Sequence, residues 1–535
     1  MDALQQTYSV VAERWVSFTT ALVFLFMILV VPNALHHARL SAIPLVGGEV
    51  GSLEKRRQAY LTSSRALYNQ GYRLFKDGLF RITTSRKSPV VVLSSKFLPQ
   101  LKKLPDSIIS VNAAINEMME GKYTGIDADL PIIPATIKAQ LTPALTRLNA
   151  TISQEVGEAL ALEMPAAEDW TEVNINRILM RVVAMVSGRV FIGSELCRNE
   201  EYLTAAINYT IEVMTAHRAV QGTRPWLRPF LARRLPEVKQ VQRRIREADA
   251  FLRPVVEQRR MAAEDESYEK PDDMLQWFID ARGKFTRESS QDLAKIQLLL
   301  SFAAIHTTTL TATNVFYDIA SLPDFASQVC DEIREALASN GGAFTSNALQ
   351  SMKMLDSALK ETLRLHPPGL ATASFQRKVL QSFTLSNGQV VPEGVIIEIP
   401  TVAINSDTTV FPDADQFDPL RFYKLRKKAR DEGSVEAAAL NQFVSISPSS
   451  LTFGYGRHAC PGRFFAANEM KMIVAQALLK YDFRLSEGSC ERYPNIEFAG
   501  MSLPDASKRL LCRFKDHGRG AEVDSGRIVG ASLTL

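Results

Sequence analysis

The sequence predicts a mainly α-helical protein with a minor β portion, and three observations carry that expectation. Long helical periodicities dominate the first two-thirds of the 535 residues. Short β-like runs cluster later, as at 391–400, where Val395, Ile396 and Ile397 follow the turn residues Pro392-Glu393-Gly394. No internal repeat and no Gly/Ser-rich linker divides residues 50–510. At roughly 150 residues per domain the length alone would suggest three or four domains, yet these features predict one large domain over about 41–515. Hydrophobic content of 46% and charged content of 22% are ordinary for globular proteins, which excludes wholesale disorder, a collagen-like fibre and a small disulfide scaffold.

Residues 15–31 contain only Ser17, Thr19 and Thr20 as polar residues, and Pro32 ends the run. A helix of that length rises about 25 Å, the low end of what spans a bilayer core of about 30 Å. Trp15 suits an interfacial anchor. The basic flank, with His36, His37, Arg39, Lys55, Arg56 and Arg57, follows the helix, which predicts a single-pass anchor with the body in the cytosol. The first ten residues hold no Lys or Arg, which argues against a cleaved signal peptide. With a cytosolic body, the sequons at Asn149 and Asn208 are chance matches. At the other end, residues 516–535 are rich in Gly, Ser and charge and are predicted to form a mobile tail.

Charge and cysteine usage narrow the function. The 62 Lys and Arg against 58 Asp and Glu leave +4, no basis for a nucleic-acid partner. Cys197, Cys330, Cys460, Cys490 and Cys512 are odd in number and scattered, which predicts neither a disulfide framework nor a structural zinc site.

One helix, 289–320, is predicted to start at a Ser289/Asp292 cap and to stop before Pro323. Its middle is apolar all round until His306-Thr307-Thr308-Thr309. Four polar residues at its centre favour burial within a large protein over a membrane span.

The segment Phe453-Gly454-Tyr455-Gly456-Arg457-His458-Ala459-Cys460-Pro461-Gly462 is the most informative. Its glycines permit a tight turn and close backbone approach. Cys460 precedes an apolar helical pattern over about 464–480, and a helix N-terminus favours a thiolate. A lone cysteine beside a Gly-rich turn can also be merely structural. The spacing F-x-x-G-x-x-x-C-x-G, however, resembles the haem-binding signature of the cytochrome P-450 family.

That resemblance extends over roughly residues 40–515 and implies the family's fold. It also implies a thiolate-ligated haem b with Cys460 as the axial iron ligand, and Phe453 and Gly454 beside it. Glu361-Thr362-Leu363-Arg364 matches the family's E-x-x-R helix, and Arg421 its P-x-R-F segment; the trio Glu361, Arg364 and Arg421 is implied to form a structural lock. On spacing alone, Glu361 and Arg364 are equally a surface ion pair. Arg377 and His458 fall at propionate-binding positions, with a surface cation as the plainer alternative for each. The early Trp-x-x-x-Arg position has no clear match, and Lys138 is the candidate there. Ala303-Ala304-Ile305-His306-Thr307-Thr308 resembles the oxygen-activating stretch. Thr307 is the implied hydroxyl, and His306 stands where the family has an acid; it is either a proton relay or a satisfied core histidine.

No phosphate-cradling glycine motif occurs, so electrons are expected from a partner, by resemblance an NADPH–cytochrome reductase at the endoplasmic reticulum membrane. The run Lys424, Arg426, Lys427, Lys428 and Arg430 either faces that partner or is a solvated surface. Segments 115–131, 370–374 and 499–503 would line the pocket by analogy. Several stretches resemble fungal microsomal members that oxidise terpenoids in secondary metabolism. The implied reaction is a monooxygenation of a hydrophobic terpenoid-like or meroterpenoid-like substrate with O2. Alternatives are a haem-thiolate isomerase or dehydratase working without reductase, and a non-catalytic haem-binding sensor.

Overall fold

The structure is a computed structural model that describes residues 2–224, 226–285, 290–369, 372–486 and 491–515. The Ser289 cap, the first two residues of the 370–374 segment, Cys490 and the tail 516–535 lie outside them.

Helices build the larger core. The helix Ser290–Ala320 packs against Ile175–Phe191, Glu200–Gly222 and Pro236–Ala262. Ala312, Val315, Phe316 and Tyr317 are wholly buried at its C-terminal half. Among the described residues, the stretch Asp292–Ala320 is the one helix long and apolar enough to cross a membrane, and most of its apolar window is buried inside the protein. It is a core helix, as its central polar residues require. Further along it, Asn176 Nδ2 donates to Thr313 Oγ1 at 3.1 Å and Thr362 Oγ1 donates to Asp318 Oδ2 at 2.6 Å, while the central Thr309 Oγ1 is buried without a hydrogen-bond partner among the described residues.

The β portion is small. Strands Leu79–Ile82, Val90–Leu93, Ile396–Ile399, Ser374–Val379 and Ile109–Ser110 form one sheet in that order. Only the pairing of Val90–Leu93 with Ile396–Ile399 is parallel. A second apolar cluster sits on this sheet, with Leu79, Val91, Leu93 and Ile397 at its centre. The predicted 391–400 run is divided. Val390–Val391 pairs with Phe383–Thr384, and Ile396–Ile399 enters the sheet after the turn. Pro392 lacks an N–H and Gly394 has φ 83°, so the backbone turns between them. A three-stranded sheet of Thr171–Val173, Leu510–Phe514 and Tyr481–Leu485 closes the far end.

The N-terminal helix runs over Asp2–Ser41, longer than the 15–31 expected and continuous past Pro32. A proline deletes one N–H and crowds one preceding turn, and intact turns on both sides carry the helix across. Large apolar side chains from Leu22 to Met27 are exposed along it. Asn149 is buried, donating to Ser346 Oγ at 3.2 Å and accepting from Asn468 Nδ2 at 2.9 Å, so that sequon is closed to a glycan in the folded chain.

Candidate active site

Cys460 is placed by a turn that only glycines make easily. Gly454 and Gly456 have φ of 76° and 71°, the left-handed region, and Cys460 N donates to Phe453 O at 2.8 Å to close the loop. A short 3-10 turn, Gly456–His458, follows, and the helix Arg463–Lys480 begins immediately after Gly462. The thiol therefore lies at that helix's N-terminus, where the N–H groups of Gly462 and Arg463 point at the sulfur. Phe453 packs edge-on against Phe443, with centroids 5.5 Å apart.

Cys460 as a residue keeps accessible surface, yet burial is the largest influence on its sulfur and pushes the thiol above its usual value. Both hold for a group at the floor of a recess. The two N–H groups and the Arg463 charge act the other way and favour thiolate. Such a donor set suits a cation-bound sulfur, since a metal deprotonates its thiol outright.

The core helix supplies a second accessible surface. Ala303 and Thr307, one turn apart, are exposed at the middle of a helix that is otherwise mostly buried. Thr307 Oγ1 donates to Ala303 O at 2.8 Å. His306 turns elsewhere: its Nε2 lies 2.9 Å from Ile207 O on Glu200–Gly222, and burial lowers its pKa. A neutral imidazole facing a carbonyl carries its proton on Nε2, so His306 ties two core helices together. That contact is the one the core-histidine alternative requires.

A cationic rim lies on the sheet side. Arg377 is 5% exposed, donates to Gln376 O at 2.8 Å, lies over the Phe375 ring, and has no carboxylate within ion-pair distance among the described residues. Burial, with Arg457 nearby, pushes its pKa down to about 10. His458 Nε2 and Arg457 Nη2 both meet Asp106 Oδ1, at 2.9 and 2.5 Å. One carboxylate, Asp106, thus serves both Arg457 and His458, with the Arg377 guanidinium nearby. Lys138 is exposed on a π-helical stretch, Ile137–Leu141, with no hydrogen bond or ion pair to a described residue. A soft sulfur donor, small side chains exposed on the core helix and a buried guanidinium with no carboxylate partner among the described residues fit a flat, doubly anionic metalloporphyrin.

Glu361, Arg364 and Arg421 do meet, and they are buried. Arg364 grips both carboxylate oxygens of Glu361 at 2.8 Å, and Arg421 Nε donates to Oε1 at 3.0 Å. Arg364 also donates to Asn405 O and Ala414 O, both at 2.6 Å. Glu361 is 0% exposed and Arg364 4%, so the surface-pair alternative fails. The basic run also departs from expectation. Arg426 is buried against Asp356 at 3.0 Å, and Lys424 pairs with Asp418 at 2.9 Å. Lys427 and Arg430 remain exposed without an acidic partner among the described residues. A helix of eleven residues, Arg421–Asp431, presents successive cations to different sides, so a run in sequence is not one face.

Sequence reasoning missed Glu469, on the helix that starts beside Cys460. It is wholly buried, accepts from Ser187 Oγ at 2.7 Å, and burial pushes its carboxyl up to about 8. The folded protein therefore holds a proton there that the unfolded chain releases near 4.5. Stability should fall as pH rises from about 4.5 to 8, by up to about 1.4 kcal/mol per pH unit, and level off above that. Glu469→Gln is expected to remove this slope. Thermal midpoints at pH 5, 6.5 and 8 check it: the variant should gain on the native protein as pH rises, and a pH-independent difference would refute a neutral Glu469.

Known proteins give the same assignment. Residues 136–511 match the family model described as Cytochrome P450. The cytochrome P450 monooxygenase ATR3 of Stachybotrys chlorohalonatus is 39% identical over 502 residues, covering 94% of this chain and 96% of that protein. The cytochrome P450 monooxygenases braC of Annulohypoxylon truncatum and paxP of Penicillium paxilli are each 34% identical, covering 93% and 83% of this chain and 97% and 84% of their own. With a glycine-turned cysteine at a helix N-terminus and relatives along nearly its whole length, the chain belongs to the cytochrome P450 monooxygenase family.

Proposed function

We propose that this protein is a membrane-anchored haem-thiolate monooxygenase that inserts one oxygen atom of O2 into a hydrophobic, terpenoid-like or meroterpenoid-like molecule of secondary metabolism, with electrons from an NADPH–cytochrome reductase. The observation that carries the chemistry is the Cys460 sulfur under the N–H groups of Gly462 and Arg463. Bound haem would supply the oxidising chemistry, with two electrons from the reductase and one oxygen atom leaving as water.

The chain's own residues do the rest. Cys460 would hold the iron, and its two N–H neighbours would set how much charge the sulfur donates. Arg377, and His458 together with Arg457, would receive the propionates, with Lys138 as a further candidate; Phe453 and Gly454 would floor the ring. Ala303 and Ala304 leave room above it, and Thr307 would hold a proton at its Oγ1 for the oxygen chemistry. His306 would keep the core helix in register through Ile207 O rather than relay protons. Support for the anchor is the exposed apolar surface from Leu22 to Met27, and Thr19 Oγ1, which donates to Trp15 O at 2.8 Å and so enters lipid with its hydroxyl satisfied. Lys427 and Arg430 offer charge to an acidic reductase surface.

A reduced, carbon-monoxide-bound spectrum of the purified protein, followed by turnover of candidate terpenoids with and without NADPH and O2, tests the reading. Product formed without either co-substrate would refute it. Thr307→Ala is expected to lower product formed per NADPH on the order of tenfold while total NADPH consumption continues. Unchanged coupling would remove Thr307 from the mechanism. Among the described residues the hydroxyl bonds only to its own helix, so the fold should tolerate the change.

A further inference from the structure

A cavity of about 740 Å³ opens where the N-terminal helix ends, between the loop 83–89 and the segment 221–228. None of Ala303, Thr307, Phe453 or Cys460 lines it, so it is separate from the cysteine site. Seven of its lining residues are Lys or Arg and two are Glu. Both carboxylates are already answered. Glu120 pairs with Arg228 at 2.5 Å, and Glu117 accepts from Lys378 Nζ at 2.8 Å and Ser88 N at 3.1 Å. Arg86 is likewise taken, by Glu398 at 3.0 Å, and Arg57 by Glu54 at 3.4 Å.

Four cations remain. Arg56, Arg81, Lys87 and Arg224 have no carboxylate within ion-pair distance among the described residues. Arg56 Nε is buried without a hydrogen-bond partner. Arg81 donates its Nε to Ile43 O at 3.1 Å, which leaves its terminal nitrogens for a ligand. Burial, and then the neighbouring Arg56 charge, lower the Arg81 pKa, as expected for two guanidiniums that share one space. An anion between them would relieve that repulsion, and guanidinium forks match phosphate oxygens.

The surroundings say where the anion comes from. Leu40, which lines the cavity, lies on the N-terminal helix about 14 Å of helical rise past residue 31, near the headgroup layer if 15–31 spans the lipid core. Trp226 and Phe230, interleaved with Arg224 and Arg228, are 66% and 70% exposed. Large exposed aromatics beside unpaired cations suit a lipid surface better than bulk water.

We propose that this cavity binds the phosphate of an anionic phospholipid headgroup, so that the body is seated on the bilayer at a fixed orientation. The proposal rests on the membrane-anchor reading. Its test uses the full-length, haem-loaded protein in neutral detergent, titrated with dihexanoyl phosphatidylserine, dihexanoyl phosphatidylcholine and inorganic phosphate. Phosphatidylserine should bind at least tenfold more tightly than phosphatidylcholine, and the preference should shrink with added salt. Arg56→Gln/Arg224→Gln should cut that affinity at least tenfold while leaving the carbon-monoxide spectrum unchanged. If that pair does not fold, Lys87→Gln/Arg224→Gln serves, since both side chains are exposed. Equal affinity for the two lipids, or an unaffected double variant, overturns the proposal. Inorganic phosphate bound as tightly as phosphatidylserine overturns the lipid source. Sedimentation with pure phosphatidylcholine vesicles judges the anchor separately: protein left in the supernatant would sink the anchor, whereas the detergent titration alone decides the headgroup site.

Discussion

Cys460→Ser is expected to yield protein without the thiolate-type reduced carbon-monoxide band and without detectable product. The loop itself should survive. The Cys460 N–H to Phe453 O bond at 2.8 Å is backbone, and the left-handed turns at Gly454 and Gly456 do not involve the side chain. What is lost is sulfur: a serine hydroxyl does not ionise near neutral pH even beside two N–H donors, and it lacks the soft, polarisable electrons that a thiolate gives to iron. A control separates this from a general effect of removing a thiol. Cys330 is buried, with its Sγ 3.4 Å from Leu478 O, and touches none of the candidate site residues. Cys330→Ser should keep the band in full. If the 460 variant retained the native Soret position and product yield, the assignment of the whole site would fall.

The contrast between what the sequence revealed and what it hid follows from distance along the chain. The cysteine loop was legible because its determinants lie within ten residues, two glycines that set the turn and a helix that starts on cue. The core helix was legible because its polar centre is incompatible with lipid. Where burial depends on the partner element, reading failed or stayed open. Arg426 sits in a run of cations, and only the carboxylate of Asp356, seventy residues earlier, explains why it is inside. His306 has two readings in the sequence, and the partner that bears on them, Ile207 O, lies on another helix. Glu469 carried no signal at all, being one acid in a helical stretch whose lack of a counter-charge is a property of the packed core. The basic cavity gathers Arg56, Arg81, Lys87 and Arg224 from separate segments, and nothing local in sequence says which of the 62 basic residues lack an acid.

Arg364→Ala is expected to cost about 3–5 kcal/mol of stability and to leave little haem-bound protein. The reason is the charge it strands. Glu361 is fully buried, and Arg364 meets both its oxygens in a parallel fork while tying the Asn405 and Ala414 carbonyls into the same knot. Removing the guanidinium leaves a buried carboxylate with one remaining cation, Arg421, and two backbone carbonyls without their donor. Arg364→Lys keeps the charge but has one nitrogen where two bonds are needed, so its loss should be intermediate. Glu361→Gln inverts the problem, leaving two arginines with no anion, and should be about as harmful as the alanine change. The double variant Glu361→Ala/Arg364→Ala should then be clearly less damaging than the sum of the single ones, since neither partner is left behind. Thermal midpoints and haem content read all four. Turnover per bound haem should stay near native in whatever fraction folds, because none of the three residues reaches the accessible faces at Cys460 or Thr307. Were Arg364→Ala to fold and take up haem like the native chain, the network would contribute nothing to stability. Were it to fold fully and lose turnover per haem, the trio would belong to the chemistry and not to the scaffold.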